Sequence, residues 1–123
     1  MAKYQKKKTY WIKKNDKLFS EIVRLRDKVC RETSSKDNLQ CAHIISRSYK
    51  NTRWDFDNAI TLTIGRHKYY THHPLEWKVF INKLFGKGYY EKLEKKALQY
   101  KSYSLEELKE VYDQIHTNRG SRS

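Results

Sequence analysis

Acidic side chains are what the opening of this chain lacks: MAKYQKKKTYWIKK carries six lysines and no Asp or Glu over residues 1–14. The whole sequence is short of the same groups, with 14 Asp+Glu against 27 Lys+Arg and a formal net charge of +13. Such an excess opposes compaction unless a polyanion neutralises it, so nucleic acid is the natural partner. An anionic membrane surface is the weaker alternative, because the basic segments carry no strongly apolar opposite face. Cysteine is scarce as well. Two thiols, Cys30 and Cys41, are too few for a disulfide framework and cannot complete a four-ligand zinc site without histidines. Apolar runs are short, none approaching the roughly 18 residues of a membrane span, and no apolar leader segment follows the N-terminus. A soluble, cytoplasmic protein with no membrane partner is expected.

What is present then organises the chain. A length of 123 residues suits one domain with a modest core, and ten tyrosines argue against disorder. Three parts are expected: a mobile or partly draped basic arm over 1–14, whose Tyr10, Trp11 and Ile12 dock, one domain over 15–116, and a flexible tail over 117–123. A helix is predicted from Asn15, capped by Asn15 or Asp16, with Leu18, Ile22, Leu25 and Val29 as its apolar stripe. Strands are predicted at Leu39–Ile45 and Ala59–Thr63. Gly65 reads as a hinge before a helix that starts near His67 and is interrupted at Pro74. Three further helices follow. Leu75–Phe85 presents Trp77, Phe80, Ile81 and Leu84 and is ended by Gly86 and Gly88, and Tyr89–Tyr100 presents Leu93 and Ala97. The last begins at a capping box, Ser104 with Glu107, and carries Leu105, Leu108, Val111, Tyr112 and Ile115.

Four of the five histidines fall between His43 and His73. His43 sits inside the apolar run CAHIISR, where it is either a satisfied core group or a base. His43, Asn58 and His67 stand in that order on strand, loop and helix. Metal-assisted phosphodiester hydrolysis needs a rigidly held base and a divalent cation. The strand holds His43, the helix offers His67 as a ligand, and the Asn58 amide can tie the loop to the strand or orient the histidine. Arg47 and Arg53 flank the base and suit phosphate, against a solvated charge or a salt bridge to Asp55 or Asp57. The lysines at 6–8, 13 and 14 add affinity without sequence preference. Trp54 reads as a plug for its loop, Tyr69 and Tyr70 as divided between core and groove, and Cys41 as a small buried hydrophobe.

These residues resemble the HNH, or ββα-metal, nucleases. The text KLFSEIVRLRD, LQCAHIISR, TRWDFDNA, NKLFGKGYYEKLE and SLEELKEVY is most similar to the phage recombination endonucleases of the NinG/Rap type, over most of residues 17–115. The resemblance implies an α+β fold: a ββα-metal core of two short antiparallel strands and a helix, wrapped by further helices and predominantly helical. It implies a divalent-metal-dependent DNA endonuclease that nicks or cuts branched or recombining DNA in a bacterial or phage-infected cell. His43, Asn58 and His67 would be the catalytic residues. His67 and His73 would hold Mg2+ or Mn2+, while Arg47, Lys50, Arg53 and Lys68 would contact DNA. A homodimer would cut both strands together.

The chain also departs from that pattern. Relatives carry two Cys-x-x-Cys pairs for a structural zinc, whereas here the segments read Cys30-Arg31-Glu32-Thr33 and Thr63-Ile64-Gly65-Arg66. No structural zinc is expected, with packing by helices and aromatics in its place. Ala42 stands before the base, where common members have an acidic or imidazole ligand, so either the metal has fewer protein ligands and more waters, as magnesium tolerates, or one of His72, His73 and Asp57 reaches in. The position four after His67 is Thr71. Rival readings are a non-catalytic DNA-binding module on the same fold and a site-specific homing or restriction nuclease.

Overall fold

The computed structural model describes residues 2–122, and side chains from residue 7 onward. The chain is α+β and mostly helical. Its elements are α1 (Ala2–Asp27), β1 (Leu39–His43), a 3-10 turn (Phe56–Asn58), β2 (Ala59–Thr63), α2 (Ile64–Thr71), α3 (Pro74–Phe85), α4 (Tyr89–Ala97) and α5 (Leu105–Asn118). No helix among the described residues is long and apolar enough to cross a membrane.

The two strands pair antiparallel, Ala42 opposite Ile60 and His43 opposite Ala59. β2 is buried on both faces, with Ile60 and Leu62 fully covered. Burying two such side chains stabilises the fold by about 2 kcal/mol each. One face meets α2, α3 and α4 through Ala42, Tyr70, Trp77, Ile81 and Leu93. The other meets α1 and α5 through Phe19, Val23, Phe56 and Ile115.

Helix α1 corrects two expectations. Residues 2–14 are not an arm but the first half of the helix, and Asn15 and Asp16 lie mid-helix rather than at a cap. Of the lysines at 6–8, the side chain of Lys6 lies outside the described residues. The buried stripe is also rotated: Asn15, Phe19 and Val23 face inward while Leu25 is 73% exposed. The reason is polar. The Asn15 amide donates to the Leu108 carbonyl (3.0 Å), which turns that face toward α5. Leu18 and Ile22 pack at its margin. Val29 lies beyond the helix, which ends where Lys28 adopts a positive φ of 67°.

Helices α3 to α5 match their sequence signals closely, whereas α2 begins at Ile64, a turn before the expected start near His67. Ser104 and Glu107 form the reciprocal capping box of α5. Pro74 opens α3 instead of interrupting α2, as its fixed φ and missing N–H suit the first helical turn. Gly88 at φ 88° permits the sharp entry to α4. Gly65 is no hinge, since it lies in the first turn of α2 behind the Thr63 cap. Of the C-terminal segment expected to be flexible, Ser123 lies outside the described residues and the part up to Arg122 is fastened: the Arg122 guanidinium donates to the Ala59 carbonyl (2.6 Å) and to the Tyr89 hydroxyl (2.8 Å).

The two segments aligned above with cysteine pairs do lie together. Arg66 forms an ion pair with Glu32, and Tyr70 donates its hydroxyl to the same carboxylate. This staple, rather than aromatic packing alone, joins the start of α2 to the loop after α1. Burial would raise the Cys30 thiol, but the Thr33 side chain and the backbone N–H groups of Glu32, Thr33 and Thr63 bring it below its ordinary value.

Candidate active site

A cavity of about 180 Å3 opens between the end of β1 and helix α2. Ala42, His43, His67, Tyr70, Thr71 and Trp77 line it, so the two histidines singled out in the sequence share one space. β1 brings His43 there because the strand ends at that residue, and α2 brings His67 one turn after its Thr63 cap.

Each imidazole is held by one nitrogen. His43 Nε2 lies 2.8 Å from the Arg53 carbonyl, which can only accept. Nε2 therefore carries the proton, and the Nδ1 lone pair of the neutral ring is left as the base. The ring is stacked on Phe19 of α1, with centroids 5.4 Å apart and planes 22° apart. Burial pushes its pKa below the ordinary histidine value, against the pull of the Arg53 carbonyl. His67 Nδ1 donates to Gln40 Oε1 of β1 (2.8 Å), leaving Nε2 with the lone pair. Burial lowers its pKa too. Both rings are thus neutral at pH 7, one suited to take a proton and the other to bind a cation.

Asn58 acts on the backbone. Its Oδ1 accepts from the Ile45 N–H (2.8 Å), and its Nδ2 donates to the carbonyls of Ile45 (3.0 Å) and Thr52 (3.1 Å). It is fully buried and ties the loop 46–58 to the end of β1. Of the two roles open to it in the sequence, the tie is the one its amide performs. Asn58→Ala should lower stability by about 3 kcal/mol in a denaturant titration, because three buried backbone groups lose their partners. Asn58→Asp should be comparably damaged at pH 7, where its carboxylate faces two carbonyls. That deficit should narrow as pH falls toward about 4 and the acid protonates.

Other expected residues are placed elsewhere. His73 does not line the cavity: its Nδ1 donates to the Tyr69 carbonyl (2.6 Å) and its ring stacks on Tyr69 at 3.9 Å. This local stacking draws His73 against its own helix turn. Neither His72 nor Asp57 lines the cavity, where Thr71 does. Arg53 is not open to phosphate as expected, nor paired with Asp55 or Asp57. Its Nε and Nη2 donate to the Asp16 carboxylate at 3.0 and 2.6 Å. Arg47 is the looser partner of Asp16, at 3.7 Å with its side chain 64% exposed. Lys50 and Lys68 are exposed. Cys41, its thiol pushed up to about 12 by burial, is no nucleophile at neutral pH.

Two contributors escaped the sequence reading. Gln40 has no signal of its own beyond strand alternation, which places it on the same face as Ala42. Asp16, read as a cap, accepts from Arg53 and also from Trp54 Nε1 (2.9 Å). The signal available was its solitude: it is the only acid in residues 1–20. Compared with models of known families, with curated proteins and with solved structures, the chain matches none.

Proposed function

We propose that this chain is a divalent-metal-dependent DNA endonuclease built on a ββα-metal core, with β1, β2 and α2 as that core. The observation that carries the reading is the pair of neutral imidazoles lining one cavity, each with its proton fixed by a carbonyl oxygen. His43 Nδ1 takes a proton from the attacking water, while the Arg53 carbonyl and the Phe19 ring hold the imidazole in place.

The donor set fits a sparsely held cation. Among the described residues no three His, Cys, Asp or Glu side chains cluster, and the Ala42 methyl donates nothing. His67 Nε2 would be the protein ligand, leaving most positions to water and phosphate oxygens, as Mg2+ tolerates. Mn2+, which like Mg2+ favours oxygen ligands, would be held in the same way. When bound, the cation supplies Lewis-acid stabilisation of the phosphorane and of the leaving 3′-oxygen. Arg47, Lys50 and Lys68 supply positive charge for the DNA backbone.

The test is incubation of supercoiled, linear, flap and four-way DNA with Mg2+ or Mn2+, with and without EDTA. Nicked circles or cut branches that disappear with EDTA are expected. Binding with no cleavage in either cation sinks the enzyme reading in favour of a non-catalytic DNA-binding module.

The pH profile is a further check. Because burial lowers the His43 pKa, the base is already neutral at pH 7, and activity persists until pH falls through that lowered value. The acid limb of the cleavage rate should therefore lie below about 6.5, the ordinary histidine value. A limb above it rules out His43 as the base.

A further inference from the structure

The loop that holds His43 also walls a second cleft. It measures about 110 Å3, and Ile12, Leu108, Trp54 and Tyr103 give it apolar and aromatic sides, with Lys8 and Lys50 beside them. The Trp54 and Tyr103 rings lie 5.2 Å apart, tilted by 59°, so each fixes the other. Arg53 belongs to both places: its side chain borders this cleft while its carbonyl holds His43.

We propose that this cleft seats one unpaired nucleobase of the DNA on which the protein acts, an inference that rests on the nuclease reading above. The wall chemistry selects the ligand. An apolar molecule needs no lysines, and a free phosphate needs no aromatic wall. A base attached to its phosphate uses both, through stacking and charge together. Size narrows it further. The volume is below the roughly 150 Å3 of a cavity that encloses benzene, so the cleft covers only part of one ring, entered from its open side, and a base pair does not fit. Only a strand with unpaired bases can offer such a ring. The cleft therefore directs the protein to single-stranded or branched segments, with the seated nucleotide next to the loop that carries the base-holding carbonyl.

The experiment is done in EDTA, so that binding is read without cleavage. Affinity is measured by fluorescence anisotropy for labelled dT12 and for its duplex with dA12. Ile12→Trp fills the cleft without changing charge, and Tyr103→Ala removes one wall. Each should weaken dT12 binding about tenfold while changing duplex binding less than twofold. In the wild-type protein, 2-aminopurine placed within the strand should be quenched on binding. Unchanged strand affinity in Ile12→Trp, equal losses on strand and duplex, or an unquenched 2-aminopurine overturns the proposal. Strand-selective binding without metal-dependent cleavage leaves the cleft standing and removes the nuclease reading. Cleavage with an unaffected Ile12→Trp variant does the reverse.

Discussion

Replacing His43 with alanine is expected to lower metal-dependent cleavage about a thousandfold, within the range that a positioned general base contributes. DNA affinity should stay within about twofold at any salt concentration, because a neutral imidazole releases no counterions when DNA binds. The two readouts separate chemistry from folding. His43 is stacked on Phe19 and hydrogen-bonded to Arg53, so its removal also leaves a gap beside α1. If binding and thermal stability collapse together with cleavage, the residue is structural. His43→Gln offers a finer control, as its amide can still donate to the Arg53 carbonyl while lacking a basic nitrogen. It should keep the fold and lose the rate.

Asp16→Ala is expected to cost about a hundredfold in cleavage although the carboxylate touches neither histidine. Its oxygens hold the Arg53 guanidinium and the Trp54 indole, and the Arg53 carbonyl in turn holds His43 Nε2. Freeing Arg53 lets that carbonyl drift, and a displacement of about 1 Å at a reacting group has an effect of this size. The signature of positioning lies in the proton on His43. Nitrogen NMR of the wild type should show His43 protonated at Nε2 across the neutral range. In Asp16→Ala the spectrum should show mixed tautomers and a pKa lowered further, because the carboxylate charge that raises it is gone while the Arg47 and Arg53 charges that lower it remain. Asp16→Asn retains an acceptor for Trp54 and should recover part of the rate. A variant that loses activity with the His43 tautomer unchanged refutes the positioning role.

These two residues also mark the limits of reading the sequence. His43 was legible because an imidazole in an apolar strand is conspicuous, and His67 because it follows at a helix start. The strands, the α5 cap and the inward faces of α3 to α5 followed from periodicity and local capping chemistry, which act over a few residues. Asp16 was not legible. Its partners lie 37 and 38 positions away, and only the docking of α1 against the 46–58 loop brings them together. Leu25 misled for a similar reason: apolar spacing marks a candidate face, but the long-range bond from Asn15 to Leu108 chose another. Arg53 was misassigned because a surface arginine and an ion-paired one look alike until the fold supplies the acid.

The staple between Glu32 and Arg66 governs how any cation assay behaves. A loop fastened by a carboxylate and a guanidinium, with Tyr70 donating to the same carboxylate, owes nothing to a chelatable ion at that point. Burial would raise the Glu32 pKa, but Arg66 and Tyr70 hold it below the ordinary value. The contribution is thus complete above about 4.5 and fades only as pH falls through the lowered value. On the proposed reading, chelation at neutral pH should abolish cleavage while leaving the melting temperature unchanged, and a differential scanning measurement in EDTA checks it.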